Sequence, residues 1–192
     1  MNIAIFASGS GSNAENIISR LNRPGSSHRV SLVVTNRRDA GVIERAARLG
    51  VPCEIVDRAT LADEAKTGAI LDRYGVEFVA LGGFLAMIPA WMIARYPGGI
   101  VNIHPSLLPR HGGKGMWGHH VHEAVHAAGD TESGITIHYV DEHYDSGDII
   151  FQASVAITPS DSVADIEAKV RELEPLHYPV VVESLLDAAQ HK

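Results

Sequence analysis

Short apolar runs recur along the chain, separated by stretches whose apolar residues are spaced for one face of a helix. Ile3-Ala4-Ile5-Phe6, Val30-Ser31-Leu32-Val33-Val34, Cys53-Glu54-Ile55-Val56, Phe78-Val79-Ala80-Leu81 and Gly99-Ile100-Val101-Asn102-Ile103 predict buried strands. After the first strand, Ile17, Ile18 and Leu21 share a helix face. A second helix follows Asp39 and stops at Gly50; a third runs from about Leu61 to Tyr74 and stops at Gly75. Glycine ends a helix well because it takes left-handed dihedrals without a Cβ clash. Strands alternating with helices, each strand apolar on both faces, predict an α/β chain with a Rossmann-like open, mostly parallel sheet. The last third reads differently. Gly134 to Val140 and Ile149 to Ile157 are two runs joined by a polar turn, which predicts a C-terminal β-hairpin at one end of the sheet. The terminal region is helical but carries Pro175 and Pro179. A proline inside a helix costs about 3 kcal/mol, so two terminal helices are expected rather than one rod.

Composition narrows this picture. At 192 residues the chain fits a single domain, 1–192, without a linker or repeat. Hydrophobic residues at 45% and charged residues at 20% match an ordinary soluble protein. The net charge of −7 argues against a nucleic-acid partner, which calls for clustered Lys and Arg. The one cysteine, Cys53, excludes an internal disulfide and suits a reducing compartment. With no apolar run of spanning length and no signal-like start, a cytoplasmic location away from the membrane is expected. The oligomeric state is not legible from these features.

Three segments carry candidate chemistry. Gly9-Ser10-Gly11-Ser12-Asn13-Ala14 links the first strand to the first helix, where outward backbone N–H groups suit a phosphate. The spacing also fits the dinucleotide fingerprint G-x-G-x-x-A. Thr35-Asn36-Arg37-Arg38 at the end of the second strand lacks the acidic residue that NAD needs, yet permits NADP; a bare turn without ligand is the plainer reading. In Val101-Asn102-Ile103-His104-Pro105-Ser106-Leu107-Leu108-Pro109, period-two alternation puts Asn102 and His104 on one side of the chain, and the prolines stiffen the loop beyond the strand. An amide that donates to an oxyanion and an imidazole that shuttles a proton are suitable tools for acyl transfer. The plainer reading is a turn cap and a half-buried histidine. The hairpin turn, Asp141-Glu142-His143-Tyr144-Asp145-Ser146-Gly147-Asp148, offers several carboxylates, one of which could face His104; spacing does not select it. His122-Glu123-Ala124-Val125-His126 fits the zinc signature H-E-x-x-H. In a chain with eleven histidines and no zincin-like layout, it reads as an exposed helix face, able at most to hold adventitious metal at His119, His120, His122 and His126; no metal is expected.

Taken together, Gly9-x-Gly11-Ser12-Asn13, the Asn102-to-Pro109 segment and Asp145-x-Gly147 beyond a strand with His138 resemble the phosphoribosylglycinamide formyltransferase family over nearly the whole chain. The resemblance implies formyl transfer from 10-formyltetrahydrofolate, as co-substrate, to the amine of glycinamide ribonucleotide in purine synthesis. It implies that Gly11, Ser12 and Asn13 hold the ribonucleotide phosphate and that Glu174 lies near the ribonucleotide. Asn102 and His104 would stabilise the tetrahedral intermediate, and Asp145 would keep the histidine protonated. Leu85, Ala86, Met87 and Ile88, with Asn102, would line the folate site. This chain departs from the family pattern at Ala86, where some members have arginine, in the His111–Gly118 loop, and at Pro175, where histidine is common. Lys66 is the candidate for a basic residue between the third and fourth strands. A formyltetrahydrofolate hydrolase would share this chemistry, though such proteins carry a further N-terminal domain. A methionyl-tRNA formyltransferase would need a further C-terminal domain and a basic surface. From a different class, an NADP-binding oxidoreductase or a non-catalytic nucleotide-binding module fits the glycine turn with Arg37-Arg38.

Overall fold

In the first strand, β1 (Asn2–Phe6), alternate side chains go to opposite sides: Ile3 and Ile5 join one apolar core, Ala4 and Phe6 another. That division organises the computed structural model, which describes residues 1–190. Strands β2 (Arg29–Thr35), β3 (Cys53–Ile55), β4 (Phe78–Leu81) and β5 (Ile100–His104) run parallel with β1. β6 (Glu132–Tyr139) and β7 (Ile149–Ala156) add antiparallel at one edge, giving the order β3-β2-β1-β4-β5-β6-β7. The mostly parallel open sheet and terminal hairpin therefore follow the hydrophobic pattern, with strand ends shifted by a residue or two.

Both faces of the parallel part are covered, as its unbroken apolar runs require. One core takes Ile17, Ile18 and Leu21 of α1 (Ser12–Leu21), Val42 and Ala46 of α2 (Val42–Arg48) and Val125 of α6 (His119–Ala128). The other takes Leu61 of α3 (Arg58–Ala62), Leu71 of α4 (Glu64–Arg73) and Met92 of α5 (Ala90–Arg95). The third expected helix is thus two. Asp63 ends α3 through its backbone N–H to Thr60 O, and its carboxylate caps α4 by accepting from Lys66 N at 3.1 Å.

The expectation of two terminal helices is corrected: α7 (Val163–Gln190) is continuous through Pro175 and Pro179. Ile166, Val170, Tyr178, Val182 and Leu186 recur at four-residue multiples and are all buried, so a stripe that winds slowly round the helix packs on the first core. Tyr178 is fully buried, and its hydroxyl donates to Leu81 O at 2.8 Å, tying α7 to the end of β4. Tertiary burial of that stripe outweighs the local cost of the prolines. No helix among the described residues is long and apolar enough to cross a membrane.

Candidate active site

The carboxyl ends of β1, β4 and β5 open into a cavity of about 560 Å³. Such strand ends are the usual ligand edge of an open α/β sheet. Its walls come from six places: the glycine turn, the segment after β4, the end of β5, the loop before α6, the hairpin turn and one face of α7.

The glycine turn is built for close approach. Gly11 has φ +78°, and a Cβ there would sit 2.5 Å from a Val42 methyl carbon, so only glycine fits. Asn13, in the first turn of α1, is buried and donates from Nδ2 to Glu174 Oε2 at 2.8 Å. Gly82 leaves room for it, since a Cβ there would lie 2.9 Å from Asn13 Cβ. Glu174 projects from α7, and burial raises its pKa despite the Asn13 hydrogen bond. Gly11, Ser12, Asn13 and Glu174 therefore meet on one wall, joined by Arg171. Arg37 and Arg38, named for NADP, do not line the cavity; Arg37 instead forks onto Asp39 at 3.1 and 2.9 Å. Lys66 is likewise elsewhere, paired with Asp63 at 3.1 Å.

Beside the glycine turn, Leu85, Ala86, Met87 and Ile88 follow β4 and line the cavity. Ser8 Oγ accepts from Leu85 N at 2.9 Å and donates to Asn36 Oδ1 at 2.6 Å, fixing where this segment leaves the sheet. Ile88 is buried, whereas Leu85 and Met87 are exposed toward the cavity mouth.

Next along the sheet, at the end of β5, lies the polar centre. Asn102 and His104 both line the cavity from β5, as the alternation predicts. His104 is 3% exposed; its Nε2 donates to His111 O at 2.8 Å and its Nδ1 faces Asp145 Oδ2 at 3.5 Å. Both ring nitrogens thus face acceptors, an arrangement that suits an imidazolium. Burial nevertheless holds the His104 pKa below its ordinary value, opposed by the Asp145 charge and the His111 carbonyl.

Among the hairpin carboxylates the structure singles out Asp145. Asp141 is the turn-former, accepting from His143 N at 2.8 Å and from Ser146 Oγ at 2.9 Å. Asp145, its side chain 11% exposed, accepts from Gly113 N at 2.9 Å and lies between His104 and His138. Burial would raise its pKa, but the charge of a protonated His104 and the Gly113 N–H hold it below the usual carboxylate value. The backbone around it explains the Asp145-x-Gly147 spacing. Asp145 has φ +53°, a region aspartate tolerates, and a Cβ on Gly147 would meet Tyr139 O at 1.9 Å. Gly147→Ala must displace that strand, and we expect it to cost about 1–3 kcal/mol in a denaturant melt, as overpacking does. Unchanged stability would contradict the close approach.

Several supporting residues carry no sequence signal of their own. Thr136 Oγ1 donates to Ser106 O at 2.6 Å and accepts from Leu108 N at 3.0 Å. Gln152 Nε2 donates to Leu108 O at 3.0 Å. These bonds pin the His-Pro loop to the hairpin strands. The zinc-like motif is corrected in one respect: His122 is 4% exposed and lines the cavity, whereas Glu123 and His126 are exposed as expected. Glu123 pairs with His120 at 3.0 Å, and the described residues contain no His/Cys/Asp/Glu group able to hold a metal ion.

Comparison with known proteins places this arrangement. The formyl transferase family model matches residues 1–182. The chain is 40% identical over 192 residues to the chloroplastic phosphoribosylglycinamide formyltransferase of Vigna unguiculata, covering 96% of this chain and 61% of that protein. It therefore spans under two thirds of that relative's length. With the phosphoribosylglycinamide formyltransferase of Bacillus subtilis it is 37% identical, covering 95% of this chain and 93% of the relative. A solved glycinamide ribonucleotide transformylase 1 from Geobacillus kaustophilus superposes with TM-score 0.86 at 36% identity, over 96% of this chain and 98% of that one.

Proposed function

Because the chain belongs to the formyl transferase family, we propose that it moves a formyl group from 10-formyltetrahydrofolate to the amine of glycinamide ribonucleotide, with Asn102, His104 and Asp145 as its reaction centre. The observation that carries this reading is the meeting of Asn102, His104 and Asp145 in a cavity whose lining also includes a helix start and the apolar segment after β4. The cavity lies within the size range of small-molecule sites.

The N-terminus of α1, with Gly11, Ser12 and Asn13, takes the ribonucleotide phosphate, since its free backbone N–H groups and the helix dipole favour an anion. Glu174 accepts hydrogen bonds from the ribonucleotide beside it. Leu85, Ala86, Met87 and Ile88 form the folate side. The substrate amine attacks the formyl carbon, and the negative charge that develops on the formyl oxygen rests on the Asn102 N–H, with the positive charge of the His104 imidazolium beside it. As the C=O re-forms, the C–N bond to the folate nitrogen breaks; that nitrogen takes up a proton from His104, and the proton that the amine loses restores His104. Burial makes His104 a readier proton donor than an ordinary imidazolium, while Asp145 keeps the proton available.

The test follows absorbance of a 10-formyl-folate analogue with and without glycinamide ribonucleotide. Turnover only with the ribonucleotide is expected. Turnover without it would select a hydrolase, and no turnover with NADPH binding would select an oxidoreductase. We further expect Glu174→Ala to raise KM for the ribonucleotide about tenfold or more, the loss of one charge-assisted hydrogen bond, with a smaller effect on KM for the folate. Equal changes in both KM values would remove Glu174 from the ribonucleotide wall.

A further inference from the structure

His138 is buried in β6 and has no part in the chemistry above, yet it touches two of the three groups that do. It is register-paired with Asn102 across the β5–β6 ladder, which brings the two side chains to the same face. Its Nδ1 lies 2.8 Å from Tyr139 O, and a carbonyl can only accept, so Nδ1 carries the hydrogen. Its Nε2 lies 3.1 Å from Asn102 Nδ2, and an amide nitrogen can only donate, so Nε2 presents its lone pair. Asp145 Oδ1, at 3.7 Å from Nε2, is beyond hydrogen-bond distance.

We propose that His138 is a positioning residue that fixes the Asn102 amide through its Nδ1–H tautomer. An amide can present either its oxygen or its nitrogen to a partner by a half-turn about the last side-chain bond. With Nε2 as acceptor, the nitrogen end is selected and one of its two hydrogens is used. The second hydrogen stays available to the formyl oxygen. A hydrogen on Nε2 would instead select the amide oxygen and turn an acceptor toward that neighbourhood. The tautomer is held by the Tyr139 carbonyl, and the position of that carbonyl is tied to Gly147, which packs directly against it. Asp145-x-Gly147 thus supplies a carboxylate to His104 and room for the carbonyl that sets His138.

This inference rests on the formyl-transfer reading for its kinetic consequence, but its geometric content can be measured separately. In protein labelled with ¹⁵N-histidine, the His138 resonances, assigned by their loss in His138→Gln, are expected to show the Nδ1–H tautomer. A proton on Nε2 would overturn the proposal. In kinetics, His138→Phe is expected to lower kcat about tenfold or more while KM stays within about twofold, because the misaimed donor is lost in the transition state. His138→Gln, which offers a carbonyl oxygen near the Nε2 position, is expected to recover part of kcat. In an Asn102→Ala background His138→Phe is expected to cost less than about twofold, since the group it positions is gone. Multiplicative losses in the double variant would mean that His138 acts independently of Asn102, and would overturn the positioning role. If His138→Phe does not fold, His138→Gln in the two backgrounds and the tautomer measurement decide. A wild-type protein without formyl transfer would overturn the function proposed above, while the tautomer would still report whether His138 holds Asn102.

Discussion

Asn102→Ala is expected to lower kcat about 10²–10³-fold, the usual cost of removing one oxyanion donor, while the protein still melts cooperatively. The size follows from where Asn102 sits. It projects from the end of β5 into the cavity, with strands on both sides, so its backbone is set by the ladder. A donor fixed in advance needs no reorganisation when charge develops on the formyl oxygen. Alanine removes the donor and leaves His138 Nε2 without its partner, at a cost of about 1–3 kcal/mol in stability. The loss should fall on kcat with little change in either KM, because the interaction strengthens only as the oxyanion forms. His104→Ala should be at least as severe, since it removes the positive charge beside the oxyanion and the proton carrier together. The decisive measurement is steady-state kinetics with both substrates. Either variant turning over at close to the wild-type rate would remove its residue from the reaction centre.

How far the sequence alone reaches depends on whether a feature is local. The five parallel strands and the terminal hairpin are legible because their apolar runs must be buried on both faces or on one, and periodicity reports burial directly. Asn102 and His104 are legible for the same reason, since they interrupt such a run at alternate positions. Continuity of α7 is not local. Pro175 and Pro179 argue against it, and only the buried stripe from Ile166 to Leu186, with Tyr178 bonded to β4, overrides them. The same distinction applies to the carboxylates: Asp141, Glu142, Asp145 and Asp148 look alike in a polar turn. What separates Asp145 is its positive φ, the Gly113 N–H and two imidazoles supplied by other strands. The His111 carbonyl, Thr136 and Gln152 leave no signature either, because backbone acceptors and a threonine within a strand are ordinary until the fold brings them to the His-Pro loop. Burial of His122 is masked by composition: eleven histidines, of which His28, His104, His122 and His138 are buried, leave nothing local to mark His122 as one that turns inward.

Asp145→Asn is expected to lower kcat about 10²-fold at neutral pH, the contribution of a positioned acid–base group, and to move the alkaline limb of the pH–rate profile to lower pH. Two influences compete at His104. Burial disfavours the imidazolium, while the Asp145 carboxylate at 3.5 Å and the His111 carbonyl favour it. Burial is the larger, so the His104 pKa already lies below its ordinary value. Removing the carboxylate charge takes away the main opposing influence, and the pKa falls further. If the imidazolium is the working form, activity is lost as pH rises through that pKa, so a lower pKa brings the loss to lower pH. The variant should then recover relative to wild type as the assay is made more acidic. Asp145 itself stays ionised through this range, because its own pKa is held below the usual carboxylate value. Asparagine retains an oxygen that can accept from Gly113 N, so the loop contact and the fold should survive, and the charge alone is under test. A profile that falls in height without moving along the pH axis would give Asp145 a steric role only. An acid limb that moves to lower pH in place of the alkaline one would mean that neutral His104 is the working form, and would reverse the direction of proton transfer proposed here.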